Sequence, residues 1–284
     1  MNLPRTLSQR DFDRFAALTR DANPVHVDPA FARTTHLGAT VAPGMFLFAL
    51  ISAAISQRLQ PAHPRGWLPL SQTLTFPAPT FVGDTVTVSV AAASGETGAY
   101  EVGIANQQRQ PTATGYTRIA AAGSDYRPVI DDELNRTDLD SDTELLGLAL
   151  GQQASAARVF EASDLDEYVD LSGDRNPLVA LRAAARDVGL PDRLLAAPLL
   201  GGMLSDLLGA QLPGLGTGWV RQSLAFHSPS HAGQRLTATV TVTRLRRDKQ
   251  LVNLGCLIAA DDGRSIATGE ALVLVRNLAQ RPAA

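Results

Sequence analysis

Asp21-Ala22-Asn23-Pro24-Val25-His26 sets a carboxylate and an imidazole five residues apart around an Asn-Pro pair. The string returns, altered, as Asp174-Arg175-Asn176-Pro177-Leu178-Val179. The second copy keeps the acid, the Asn and the Pro, but carries Val where the first has His. The repetition continues on both sides. Asp11 to Thr19 matches Asp164 to Ser172 at a constant offset of 153 positions. Gly44-Met45 matches Gly202-Met203, and Leu74-x-Phe76-x-x-Pro79-x-x-x-Gly83 matches Leu224-x-Phe226-x-x-Pro229-x-x-x-Gly233. Ala113-Thr114-Gly115 matches Ala267-Thr268-Gly269. Landmarks in one order, at offsets of 150 to 158, indicate two copies of a whole domain rather than a solenoid of short units. One copy is chemically complete and the other is not.

The length of 284 residues suits two domains, and 45% hydrophobic residues give each half enough material for a core. A net charge of −3 gives no reason to expect a nucleic-acid partner. The single Cys256 lies in an apolar run and reads as a buried structural thiol; alone, it forms neither an internal disulfide nor a cysteine metal site. The first residues lack the apolar core of a secretory signal. The apolar run Met45 to Ile55 is too short to span a bilayer. The expectation is a protein of the reducing cytoplasm with no membrane partner.

Each half shows the same order of elements. Ser8 and Ser163 are candidate N-caps of short helices ending at Thr19 and Ser172. An Asn-Pro loop follows, then a second short helix, about Pro29 to Thr35 and Leu178 to Val188. Next comes an apolar helix, Gly44 to Leu59 and Gly201 to Leu212, expected to be wrapped by other elements. Strands are expected over 67–76, 85–92, 100–107 and 112–121, and again over 218–226, 235–245, 251–259 and 265–275. A buried helix followed by antiparallel strands reads as an α+β fold in which a sheet curls around a helix. The expected division is residues 1–123 with the intact motif, an acidic linker over 124–150, and residues 151–284 with the degenerate one.

Pro24 disfavours helix at the residue before it, which places Asp21 and His26 on an ordered loop. Asn23 can bond the backbone of that loop. A carboxylate and a neutral imidazole converging on one water make a workable acid–base pair near neutral pH. Gly44 precedes the apolar helix, so its N–H is an unpaired donor at a helix start, suited to a developing negative oxygen.

Taken together, these motifs resemble the MaoC-like, (R)-specific enoyl-CoA hydratase (hydratase 2) family, with a hot-dog fold in each half. The resemblance is carried by Phe15, Leu18, Thr19, Asp21, Asn23, Pro24, His26 and Asp28, by Ala42-Pro43-Gly44-Met45, and by Phe76 to Asp84, which is similar to the family's Pro-Val-x-x-Gly-Asp turn. It implies a tandem double hot-dog in which one chain is the equivalent of a homodimer, with further homodimerisation left open. It implies a hydro-lyase acting on an acyl-CoA or acyl-carrier-protein thioester, in fatty acid metabolism, with no cofactor or metal. Asp21 would donate a proton to the α-carbon, His26 would take the water proton, the Gly44 N–H would polarise the thioester carbonyl, and Asn23 would orient the loop. The second half would widen the acyl tunnel near Val179. Arg109, Arg118, Arg244, Arg246 and Arg247 are open candidates for phosphate contacts. Two positions depart from the family pattern: Arg20 stands where Gly is usual, and Pro43 where His is usual. Thioester hydrolysis and non-catalytic acyl-thioester binding are the alternatives. The helix Gly44 to Leu59 offers only Ser52, Ser56 and Gln57 as polar groups for the former.

Overall fold

The computed structural model describes residues 4–123 and 141–275. The acidic stretch 124–140, most of the expected linker, lies outside the described residues. The first half runs β1 (Arg5–Thr6), α1 (Gln9–Thr19), α2 (Pro24–Val27), α3 (Pro29–Thr34), α4 (Gly44–Leu59), β2 (Trp67–Thr75), β3 (Thr85–Ala92), β4 (Ala99–Ala105) and β5 (Pro111–Ala121). A two-strand hairpin follows, β6 (Glu144–Leu145) and β7 (Leu148–Ala149), in a stretch that sequence assigned to the connector. The second half runs β8 (Gln153–Val159), α5 (Ala162–Ser172), α6 (Pro177–Ala180), α7 (Arg182–Asp187) and α8 (Ala197–Asp206). A π-helical turn, Leu207–Gln211, closes α8 before β9 (Gly218–Phe226), β10 (Arg235–Arg246), β11 (Leu251–Ala260) and β12 (Ser265–Leu274).

Ten strands form one antiparallel sheet in the order β1-β3-β4-β5-β2-β9-β12-β11-β10-β8. The two halves meet at its centre, where β2 pairs with β9 around Thr73 and Ser223. The repeated Ala-Thr-Gly landmark has a packing cause here: a Cβ at Gly115 or Gly269 would collide with the carbonyl oxygen of Thr73 or Ser223 on the neighbouring strand. The sheet wraps α4 and α8, which are apolar on nearly every side. Met45 to Ile51 are all buried on α4, and Ala197 to Ser205 on α8. Each fully buried Leu, Ile or Phe contributes about 1.5–3 kcal/mol to folding. Phe46 anchors α1 to α4, its ring centroid lying 5.4 Å from Phe15 and 6.3 Å from Phe12.

Local sequence explains most boundaries. Ser8 caps α1 in a capping box with Asp11: Asp11 N–H donates to Ser8 Oγ and Ser8 N–H to Asp11 Oδ2. Ser163 is not a cap. Helix α5 begins two residues earlier than that cap would require, at Ala162, because Asp164 at the third helical position accepts the N–H of Glu161. The Asn-Pro loops are one-turn helices, each opened by proline, whose missing N–H costs nothing at the first helical position. Asn23 and Asn176 cap them by accepting the N–H two residues on. The expected helix over 178–188 is broken at Leu181 into α6 and α7.

The second central helix also differs from expectation. It starts at Ala197, so the structural counterpart of Gly44 is Ala197, again 153 positions on, and not Gly202. Gly201 and Gly202 instead lie inside α8, where a side chain would strike Met45 or Thr19. Their task is close packing against the first half. Among the described residues, no helix is long and apolar enough to cross a membrane.

Candidate functional site

A cavity of about 750 Å³ opens between the halves, and Asp21, Asn23, His26 and Gly44 all line it. Three devices place the imidazole. Gln9 Nε2 donates to the His26 carbonyl at 2.8 Å while its Oε1 accepts the Thr40 hydroxyl at 2.6 Å. Val41 N–H donates to Val25 O. His26 Nδ1 lies 2.8 Å from the Val41 carbonyl. A carbonyl can only accept, so Nδ1 carries the proton and Nε2 is left with a lone pair facing the cavity. His26 Nε2 is 3.9 Å from Asp21 Oδ2, too far for a direct hydrogen bond and within reach of one bridging water.

Asp21 is 1% exposed. Its Oδ2 accepts a 2.5 Å hydrogen bond from Ser205 Oγ, on α8 of the other half. The mirror contact is present: Ser52 Oγ, on α4, donates to Asp174 Oδ2 at 2.7 Å. Gly44 is the first residue of α4, and among the described residues its N–H has no acceptor within the protein. Pro43 sits outside the helix as its N-cap.

Arg20 is exposed and does not line the cavity. Its backbone ends α1 in the left-handed region, φ 68°, where the second copy has Gly173 at φ 79°. Glycine is favoured there because a Cβ crowds the following carbonyl. Arg109, Arg118, Arg244, Arg246 and Arg247 are likewise absent from the cavity wall. Arg118 pairs with Glu96, Arg246 with Asn253, and Arg247 with the Glu144 carbonyl. His227 bonds Thr268 and His231 the Ala232 carbonyl, both away from the cavity, whereas His36 lies in its wall. Among the described residues, no cluster of three or more His, Cys, Asp or Glu could hold a metal ion.

The second half contributes more than sequence indicated, and from a different place. Ser205, Leu208, Gly209, Leu215 to Val220 and Leu274 line the cavity. Trp219 packs against Phe76 across the seam, with centroids 6.2 Å apart. Val179, expected to leave room for an acyl chain, is 2% exposed and borders a void of only about 30 Å³. The degenerate site has closed. Asp174 is held by Ser52 and by the Tyr168 hydroxyl at 3.0 Å, and burial followed by the Asp174 charge holds that phenol protonated. Ser205 carried a sequence signal, since it repeats Ser52 at the same 153-residue offset. Burial also pushes the Cys256 thiol up to about 12, which makes it inert.

The sequence profile of the family described as "MaoC like domain" matches residues 1–109. An (R)-specific enoyl-CoA hydratase of Aeromonas caviae is 38% identical over 126 residues, which are 44% of this chain and 94% of that protein. The fold is similar to a solved MaoC-like dehydratase, with a TM-score of 0.75 at 16% identity over 96% of both chains. A Mycobacterium tuberculosis protein described as a double hot-dog fold has a TM-score of 0.70 at 16% identity, over 96% of this chain and 94% of its own.

Proposed function

The chain belongs to the MaoC-like hydratase and dehydratase family, hydro-lyases of hot-dog fold, and we propose that it adds water to, or removes it from, a 2-enoyl/3-hydroxyacyl thioester of coenzyme A. Residues 1–123 hold the reacting groups and residues 151–284 complete their cavity. The observation that carries this reading is the convergence of Asp21, His26 and the Gly44 N–H on one cavity. Water bound between His26 Nε2 and Asp21 gives its proton to Nε2 as its oxygen bonds C3. The π pair moves to C2 and the thioester oxygen, which the Gly44 N–H stabilises. His26 passes that proton on to the Asp21 carboxylate, and Asp21 delivers it to C2, so one water is added in all and both groups end as they began. Positioned acid–base groups contribute about 10²–10⁴-fold, and an oxyanion donor about 10²–10³-fold.

His26 Nε2 and Asp21 Oδ2 lie 3.9 Å apart, so a water held between them would add from the same face as the proton, which supports syn addition and, with the Aeromonas relative, an (R)-3-hydroxyacyl product. The test is loss of enoyl absorbance on crotonyl-CoA and longer enoyl-CoAs, with chiral analysis of the product. His26→Ala should abolish turnover. Activity that survives both Asp21→Ala and His26→Ala sinks the assignment. A wild type inert at every chain length that still binds CoA esters replaces it with a binding protein.

A further inference from the structure

Ser56 on α4 and Gly209 in the π-turn after α8 occupy matching places, 153 residues apart and each one turn beyond the serine that bonds the opposite aspartate. Each faces the other half's Asp-x-Asn loop, and the two loops are treated differently.

At the degenerate loop, Ser56 Oγ donates to the Ala53 carbonyl and accepts the Arg175 N–H at 2.8 Å. The Asn176 amide is engaged at both ends: Nδ2 donates to the Trp67 carbonyl at 2.9 Å, and Oδ1 accepts from Leu178 N at 3.2 Å and Trp67 N at 3.4 Å. At the intact loop, among the described residues, only the helix cap by the Asn side-chain oxygen is kept. The Ala22 N–H turns back to the Arg20 carbonyl. Asn23 is 5% exposed and lines the cavity; its Oδ1 caps α2, and among the described residues its Nδ2 has no partner. Gly209 leaves the space beside the Asn23 amide free of a side chain. A Cβ there would stand 2.9 Å from Asn23 Nδ2, 3.3 Å from Asn23 Cβ and 3.4 Å from Asp21 Oδ1. The π-turn, closed by Leu212 N–H to Leu207 O at 2.8 Å, carries the backbone this close, where α4 stays α-helical through Ser56. Such turns gather at functional sites because the extra residue re-aims the chain.

We propose that Gly209 is a positioning residue for the chemistry at Asp21: with no side chain against the loop, it keeps the Asn23 amide free to bind the reacting water. The live and closed sites differ at this position as well as at His26 and Val179. This rests on the hydro-lyase reading.

The test uses Gly209→Ala and Gly209→Ser in the full chain. Turnover should fall about tenfold or more with KM changed less than about threefold, since the groups displaced hold water rather than the thioester. In an Asn23→Ala background, which removes the struck atom, adding Gly209→Ala should cost less than about threefold. The Asn23 side-chain amide resonances, read by ¹⁵N NMR, should move in both single variants. A smaller fall in turnover, a loss undiminished in the Asn23→Ala background, or unmoved Asn23 resonances overturns the proposal. Absence of wild-type turnover would overturn the hydro-lyase reading instead, and the resonances would still decide the role of Gly209.

Discussion

Ser205 Oγ donates to Asp21 Oδ2 at 2.5 Å across 184 residues of chain, so the acid of the first half is held by a hydroxyl of the second. Removing a donor from a buried carboxylate leaves its desolvation uncompensated, at about 1–3 kcal/mol. Ser205→Ala should therefore lower stability by that amount and turnover by about 10–100-fold. Ser52→Ala leaves Asp174 the Tyr168 hydroxyl, and should lower stability by less and leave turnover within about twofold. Thermal unfolding and initial rates on crotonyl-CoA separate the two.

Asp206 follows Ser205 and is half-buried. Burial first, then the negative charge of Asp21, raises its carboxyl from 3.8 to about 6, with Arg158 and Arg20 opposing. Between these two values the folded state binds the extra proton. Stability therefore falls as pH rises from about 4 to about 6, and the cost is complete above that window. Asp206→Asn should raise stability at pH 7 by on the order of 1 kcal/mol, discounted for screening, and change it little near pH 4. Equal gains at both pH values would refute this.

Arg20→Gly should stabilise the fold by about 1 kcal/mol, because the left-handed φ of 68° is costly for a side chain with a Cβ and free for glycine. Turnover should stay within about twofold, since the guanidinium does not line the cavity. A shift in the urea midpoint, or its absence, decides the point.

Val179→His in a His26→Ala background should restore no turnover. The space beside Val179 is about 30 Å³, and Asp174 and Asn176 are already bonded to Ser52, Tyr168 and Trp67. Measurable hydration by that double variant would show that the second site is closed only by its missing imidazole.

The repeat announced the double fold, and the polar groups of Asp21, Asn23 and His26 were legible because they lie within one turn-sized string with distinctive chemistry. Strands β2 to β5 and β9 to β12 were legible from their β-branched residues and glycine punctuation, whereas β1, β6, β7 and β8 were not expected. What stayed hidden depends on contacts between distant segments. Ser205 and Gly209 acquire their roles only when α8 packs against α4 at Gly201 and against the end of α1 at Gly202, a packing event with no local pattern. The start of α8 was misplaced because Gly202-Met203 copies Gly44-Met45 in letters while serving close packing. The left-handed turn at Arg20 was masked by a residue that rarely adopts it.

The β2–β9 seam joins two halves that are not interchangeable. A homodimer of the first half alone would set Ser56 against both intact loops; a homodimer of the second would offer two clear spaces and no imidazole. Each half holds what its neighbour lacks, so neither, paired with itself, would rebuild the site.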